Sequence, residues 1–143
     1  MLKSKKDLLL MIPFSSIYMY LNGILEIKKY LPKKSIVILC AAVSDFIPKK
    51  IPTHKITTSE ELNLSLENSP KILGKMTSED LLTVSFKLET DPDKLGQRID
   101  FALDKYKVDM VVGNILGNKN WIKIQYNQQK FPDQKPIEHS ENV

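Results

Sequence analysis

The residues with the strongest claim on chemistry are a carboxylate and an ammonium ten positions apart, Asp45 and Lys55, in the stretch CAAVSDFIPKKIPTHKI that spans residues 40–56. An ionised Asp offers only acceptors, so Asp45 can take hydrogen bonds from ribose hydroxyls, amines or metal-bound water. Lys55 brings three donors and a compact charge suited to a polyphosphate. The loop between them, with Pro48, Pro52 and several cations, could swing that charge over a bound triphosphate. Ala41 and Ala42 clear room for a flat ring or a sugar to approach the backbone. Each residue also has a plainer reading, because Asp after a strand is ordinary turn chemistry and a loop lysine is commonly just solvated.

Two further clusters have the same character. In VSFKLETD, Phe86 offers a stacking face, Lys87 a cation and Glu89 a base or metal ligand. Phe86 suits the core equally well, and Lys87 and Glu89 alternate with apolar neighbours, as residues of one solvated face would. Asn114, after Gly113, can hydrogen-bond a ligand amide or simply serve a turn. Lys105 and Lys107 end a helix, where the dipole alone favours cations. His54 and His139 stand far apart, with no cysteine pair or carboxylate at metal-ligand spacing. There is no G-x-S-x-G element, no Gly-rich phosphate loop and no basic stripe interleaved with aromatics, so nucleic acid is not an expected partner.

Each cluster ends an apolar run, and those runs are what must position it. SIVILCAAV (35–43) is continuous and rich in β-branched residues, which predicts a strand covered on both faces as in a parallel sheet. LLTVSFKL (81–88) and VDMVVGN (108–114) predict two more strands. Phe14, Ile17, Tyr18, Leu21 and Leu25 recur at helical spacing, with Ser15 or Ser16 to cap the start and Pro32 to forbid continuation. Ser69-Pro70 predicts a cap and a short helix through about Met76. Asp91-Pro92 repeats that signal before a helix burying Leu95, Ile99, Ala102, Leu103 and Tyr106. ELNLSLE alternates as a half-buried strand does, GNKN (117–120) is a turn, and WIKIQY alternates again as a C-terminal antiparallel strand or hairpin. The expected fold is therefore α/β: a Rossmann-like, mostly parallel sheet flanked by helices. Residues 1–127 form a single α/β nucleotide-binding domain, and residues 128–143, without periodicity, a loosely ordered tail. In open α/β sheets ligands bind outside the carboxyl ends of the strands, where all three clusters fall.

Bulk properties agree. The chain has 143 residues, 42% hydrophobic and 27% charged, which describes one globular domain. No apolar run approaches the roughly 20 residues of a membrane span. MLKSKKDLLLMIPF has a basic head and an apolar centre, but that centre is too short for a signal peptide and no small-residue cleavage site follows, so the segment is read as structural. The single cysteine, Cys40, fits a reducing, cytoplasmic setting and reads as a buried small hydrophobe. A net charge of +4 suits an anionic small-molecule ligand.

AAVSDFIP, HKI ten residues after the Asp, PKIL, FKLETDP and VVGNIL, in that order, resemble the eukaryotic type of phosphopantothenoylcysteine synthetase (phosphopantothenate–cysteine ligase), from about residue 8 to about residue 126. The resemblance implies a Rossmann-like fold, a homodimer and a two-step ligation in coenzyme A biosynthesis, using ATP (CTP in bacterial members) with Mg²⁺. Its substrates would be 4′-phosphopantothenate, cysteine and the nucleoside triphosphate. By the same resemblance Ala41, Ala42, Asp45, Phe86 and Asn114 bind the nucleotide. Lys55 is catalytic, reaching the phosphates, and residues 56–61 form a flap. Asn114 sits in the family's Ala-Asn motif, here Gly-Asn. The family's opening strand, glycine-rich turn and Asn-Phe-Ser-Ser-Gly-like segment find no match, nor does its terminal helix. Weak or absent ligase activity is therefore expected of this chain alone, the alternative being a non-catalytic nucleotide-binding or dimer-partner fragment.

Overall fold

A computed structural model describes residues 9–56 and 63–140. Helix α1 (Ile17–Lys28) comes first, followed by β1 (Ser35–Leu39), β2 (Phe46–Pro48), β3 (Leu66–Asn68), α2 (Leu73–Met76) and β4 (Leu81–Glu89). The chain continues through α3 (Pro92–Tyr106), β5 (Met110–Ile115), β6 (Asn118–Tyr126) and β7 (Ile137–Ser140). Five strands form one sheet in the order β1-β4-β5-β6-β7, and β2 and β3 form a separate antiparallel pair. β1, β4 and β5 run parallel, while β6 and β7 add to the edge antiparallel. The expected Rossmann-like α/β architecture with its C-terminal antiparallel addition is what forms.

Local chemistry explains the boundaries. The Ser16 hydroxyl accepts from the Met19 amide at 3.2 Å and caps α1. Asp91 caps α3 in the same way, accepting from the Asp93 amide at 3.1 Å, with Pro92 at the first helical position where its missing N–H costs nothing. The β5–β6 hairpin turns at Gly117, whose φ of 89° is disfavoured for any residue with a Cβ.

Two apolar clusters form the core. Leu95, Ile99, Ala102 and Leu103 of α3 pack with Val108 and Val111, and Leu21 of α1 packs with Ile72 and Met76 against Val37 and Leu39. Each fully buried Leu or Ile contributes roughly 1.5–3 kcal/mol relative to exposure. Both clusters lie on the same face of the sheet. On the opposite face Ile36 and Ile38 remain 64% and 59% exposed, and Phe86 and Leu88 are exposed beside them. The expectation that the first strand is covered on both faces is thus corrected, and it ends at Leu39 instead of running to residue 43.

Three other expectations change. The short helix after Ser69-Pro70 begins only at Leu73, because Ser69 is committed elsewhere: its hydroxyl donates to the Ser44 carbonyl at 2.5 Å. ELNLSLE keeps only Leu66 and Glu67 in a strand, exposed against β2; Leu62 lies outside the described residues. Residues 128–140, expected loose, turn back and place β7 on β6. Their anchor is Asp109, 1% exposed, whose Oδ2 accepts from the Thr83 amide at 2.7 Å while Lys130 Nζ meets Oδ1 at 2.6 Å. Asn127 adds two bonds to the same strand start, its amide donating to the Asp109 carbonyl and its side chain to the Val108 carbonyl. The sequence reading of residues 1–8 concerns positions outside those described.

Candidate functional site

β1 leaves the sheet before its neighbour ends. Its last residue, Leu39, pairs with Ser85, yet β4 continues through Glu89 alongside β5. Beyond Ser85 the outer edge of β4 has no strand partner among the described residues, and the chain from Cys40 to Asp45 diverges from it. The notch opens into a cavity of about 580 Å³, a size suited to a nucleotide-sized ligand. Its wall includes Ala41, Ala42, Asp45, Phe86 and Asn114, so five of the six residues singled out from sequence converge on one hollow at the strand tips.

The sixth, Lys55, is exposed in the loop after β2 and is not part of that wall. Ile56, the first residue of the expected flap, borders a separate hollow near Lys49 and Lys50; the rest of the flap lies outside the described residues. Cys40 is exposed in the cavity wall, which corrects the expectation that it is buried: the strand that would have covered it ends one residue earlier.

The Asp45 loop is held by the segment before α2. The Ser69 amide donates to the Asp45 carbonyl at 2.9 Å, and the β2–β3 pair fastens the chain on either side. Lys71, on that segment, meets Asp45 Oδ1 at 2.5 Å. Its hydrogen bond holds the Asp45 carboxyl below its ordinary pKa; partial burial opposes this, and the charges of Lys71 and Lys87 reinforce it. With Lys71 and Lys87 against Asp45 as the charged groups of the wall, the cavity favours an anion. Lys87 and Glu89 do share a face, as their alternation implied, but it is the helix-covered one, where Glu89 pairs with Arg98.

Sequence reasoning left out Lys71, Ser85, Tyr20 and Tyr106, all of which line the cavity. Lys71 lay inside the quoted PKIL motif without a role, and Tyr106 was absorbed into the helical period. Burial above all, and then an electrostatic contribution from the neighbouring Cys40, raises the Tyr20 phenol above its ordinary pKa. Among the described residues no group of three or more acidic, His or Cys side chains is disposed to hold a metal. Asp45 is the single carboxylate of the cavity wall among the described residues, which fits a Mg²⁺ ion that arrives on a triphosphate better than one caged by protein.

A mostly parallel sheet with a cationic notch at its strand tips defines a Rossmann-like ligand-binding domain. The sequence profile of the DNA/pantothenate metabolism flavoprotein C-terminal domain matches residues 22–141, and the chain belongs to that family. Phosphopantothenate–cysteine ligase 2 of Oryza sativa subsp. japonica is 42% identical over 122 residues, covering 79% of this chain and 38% of the relative. Phosphopantothenate–cysteine ligase CAB2 of Saccharomyces cerevisiae is 32% identical over 142 residues, covering 81% of this chain and 39% of the relative. The solved structure of a Cab2 mutant in complex with phosphopantothenate-cysteine superposes with a TM-score of 0.79 at 30% identity, over 96% of this chain and 48% of that one. The chain thus spans under two-fifths of the length of these curated relatives.

Proposed function

We propose that this chain supplies the nucleotide half of a phosphopantothenate–cysteine ligase site. The reaction is ATP-dependent ligation of L-cysteine to 4′-phosphopantothenate through an acyl-adenylate, in coenzyme A biosynthesis. The observation that carries the reading is the convergence of Ala41, Ala42, Asp45, Phe86 and Asn114 on one cavity. It is joined by relatives that are named as such ligases.

The chemistry follows from the substrate. A carboxylate cannot be attacked by an amine until one of its oxygens becomes a good leaving group. The 4′-phosphopantothenate carboxylate therefore attacks the α-phosphorus of ATP, forming an acyl phosphate anhydride and releasing pyrophosphate. The cysteine amine then attacks the acyl carbon and expels the nucleoside monophosphate. The protein's part is positioning and charge neutralisation. In this reading Ala41 and Ala42 admit the nucleotide, Asp45 accepts from it, Phe86 borders its base or sugar, and Asn114 hydrogen-bonds within the site. Lys55 swings in from its loop to the phosphates during the first step. Asp45 is the residue that would hold the waters of a Mg²⁺ ion arriving on the triphosphate, and that ion would supply neutralisation of phosphate charge. ATP is the assigned nucleotide, with CTP as its competitor.

The working protein is read as a cytoplasmic homodimer; no described helix is long and apolar enough to cross a membrane. The sheet face that no described helix covers, apolar through Ile36 and Ile38, requires cover in such an assembly. A second reading, a non-catalytic nucleotide-binding or dimer-partner fragment, is favoured by the position of Lys55, exposed in its loop and outside the cavity wall.

Pyrophosphate release with 4′-phosphopantothenate and cysteine decides between them. ATP and CTP are compared for this chain and for a chimaera carrying the remaining length of a full ligase. Release by the chimaera, lost in Lys55→Ala with its melting temperature unchanged, supports the enzyme. A chimaera that binds nucleotide but releases none supports the fragment, and undiminished release by Lys55→Ala removes that residue from the mechanism.

A further inference from the structure

Ser85 stands apart from every other residue of the cavity wall. It is 1% exposed, and among the described residues its hydroxyl has no hydrogen-bond partner. The cause is its place in the sheet. Its register neighbours are Leu39 on β1 and Val111 on β5, neither with a polar side chain, and the cavity takes the remaining side. A buried hydroxyl without a partner is expensive, because it has given up water and received nothing. Most such groups in folded proteins are satisfied, so one that fronts a ligand-sized hollow has a specific use.

The surroundings say which part of a ligand would reach it. The wall that Ser85 shares also holds Leu39, its register neighbour, and Ile72, Leu73 and Tyr106, which are apolar or aromatic. Of the charged groups, Asp45 and Lys71 stand on the diverging loop and the segment before α2, and Lys87 follows two residues on along β4. A ligand with an anionic end and a flat ring matches that division. A serine hydroxyl can donate to a ring nitrogen or accept from an exocyclic amine, and the edge of a nucleobase carries both groups.

We propose that Ser85 is the side chain that reads the base edge of the bound nucleotide, the ring supplying the partner that the described residues do not give its hydroxyl. This rests on the nucleotide reading above and deepens it. A bystander serine and a ligand-reading serine respond oppositely to Ser85→Ala. Removing the oxygen relieves the unpaired group, so the ligand-free variant melts higher by about 2–4 °C. The same change deprives the base of its partner, so affinity falls by about tenfold, the size of one hydrogen bond.

The test is calorimetric titration of the full 143-residue chain, wild type and Ser85→Ala, with MgATP and separately with inorganic tripolyphosphate. The expected result is weaker MgATP binding, unchanged tripolyphosphate binding and a raised ligand-free melting temperature. Ser85→Thr, which keeps the hydroxyl, recovers most of the MgATP affinity. Equal loss for both ligands would place Ser85 at the phosphates and overturn the assignment. Unchanged MgATP affinity, or a lowered melting temperature, would make it a structural serine. Wild-type protein that binds tripolyphosphate and MgATP equally would show that no base is read at all. Wild type that binds neither would remove the nucleotide reading itself, and the role of Ser85 with it.

Discussion

Restoring the family's alanine at position 113 should harm this protein. In the Ala-Asn motif that Asn114 belongs to, this chain carries Gly113, and α3 has settled onto the space. A Cβ at Gly113 would stand 2.6 Å from Ile99 Cδ1, and 3.1 and 3.3 Å from the two Leu95 methyls. Ile99 and Leu95 are 0% and 2% exposed, in the middle of the larger apolar cluster, so neither can retreat into solvent. Two effects compete. Overpacking of this kind costs about 1–3 kcal/mol. Replacing Gly by Ala restricts the unfolded chain and returns about 0.4–1 kcal/mol. The clash wins, and Gly113→Ala should lose about 1–2 kcal/mol. For a domain of this size that lowers the melting temperature by roughly 3–6 °C. Ile99→Val deletes the offending methyl at a cost of about 0.5–1.5 kcal/mol by itself. In the double variant the added Cβ occupies the space vacated, so its stability should match that of Ile99→Val alone. Urea unfolding of the four proteins measures the coupling. A stabilised Gly113→Ala, or strictly additive losses, would refute the claim that α3 rests on the missing side chain.

Two further outcomes follow from the electrostatics. Lys71 depresses the Asp45 pKa, so their pair stabilises the fold at neutral pH and is lost as acid protonates the carboxylate. Lys71→Met should raise the Asp45 pKa towards its ordinary value, read by NMR titration. The accompanying stability deficit, under about 1 kcal/mol for so exposed a pair, should begin to shrink as the pH falls past about 4 and close only below the depressed Asp45 pKa. Lys130→Met leaves Asp109 buried without its cation and should cost about 3 kcal/mol in urea unfolding. Adding Asp109→Asn, which still accepts from the Thr83 amide, should recover much of that loss; a Lys130→Met protein as stable as wild type would show that residues 128–140 are held some other way.

The cavity was legible in the sequence because strand tips and ligand sites coincide in open α/β folds, and the small and polar residues that interrupt each apolar run are themselves visible. Sidedness was not. A continuous run such as SIVILCAAV promises cover on both faces, but β1, β4 and β5 step across the sheet in one direction, and right-handed crossovers of that kind put their helices on one side. That leaves Ile36 and Ile38 outside and Cys40 at a cavity wall. Lys71 and Ser85 escaped notice because each matters through a neighbour distant in sequence. Lys71 answers Asp45 across the β2–β3 pair, and Ser85, with Leu39 and Val111 beside it, finds no partner among the described residues. Lys55 is the reverse case, conspicuous by spacing and yet outside the cavity wall in the ligand-free fold. The swing proposed for it is a motion that spacing cannot encode.

The most direct test is a backbone NMR titration of the chain with MgATP. Nucleotide seated at the strand tips should shift the amides of residues 40–45, 69–73, 85–88 and 114, and leave Asp109 and Asn127 at the other end of the strands unmoved. Shifts confined to Lys49, Lys50 and Ser65 around the second hollow, with Asp45 and Ser85 silent, would contradict a nucleotide site in the notch.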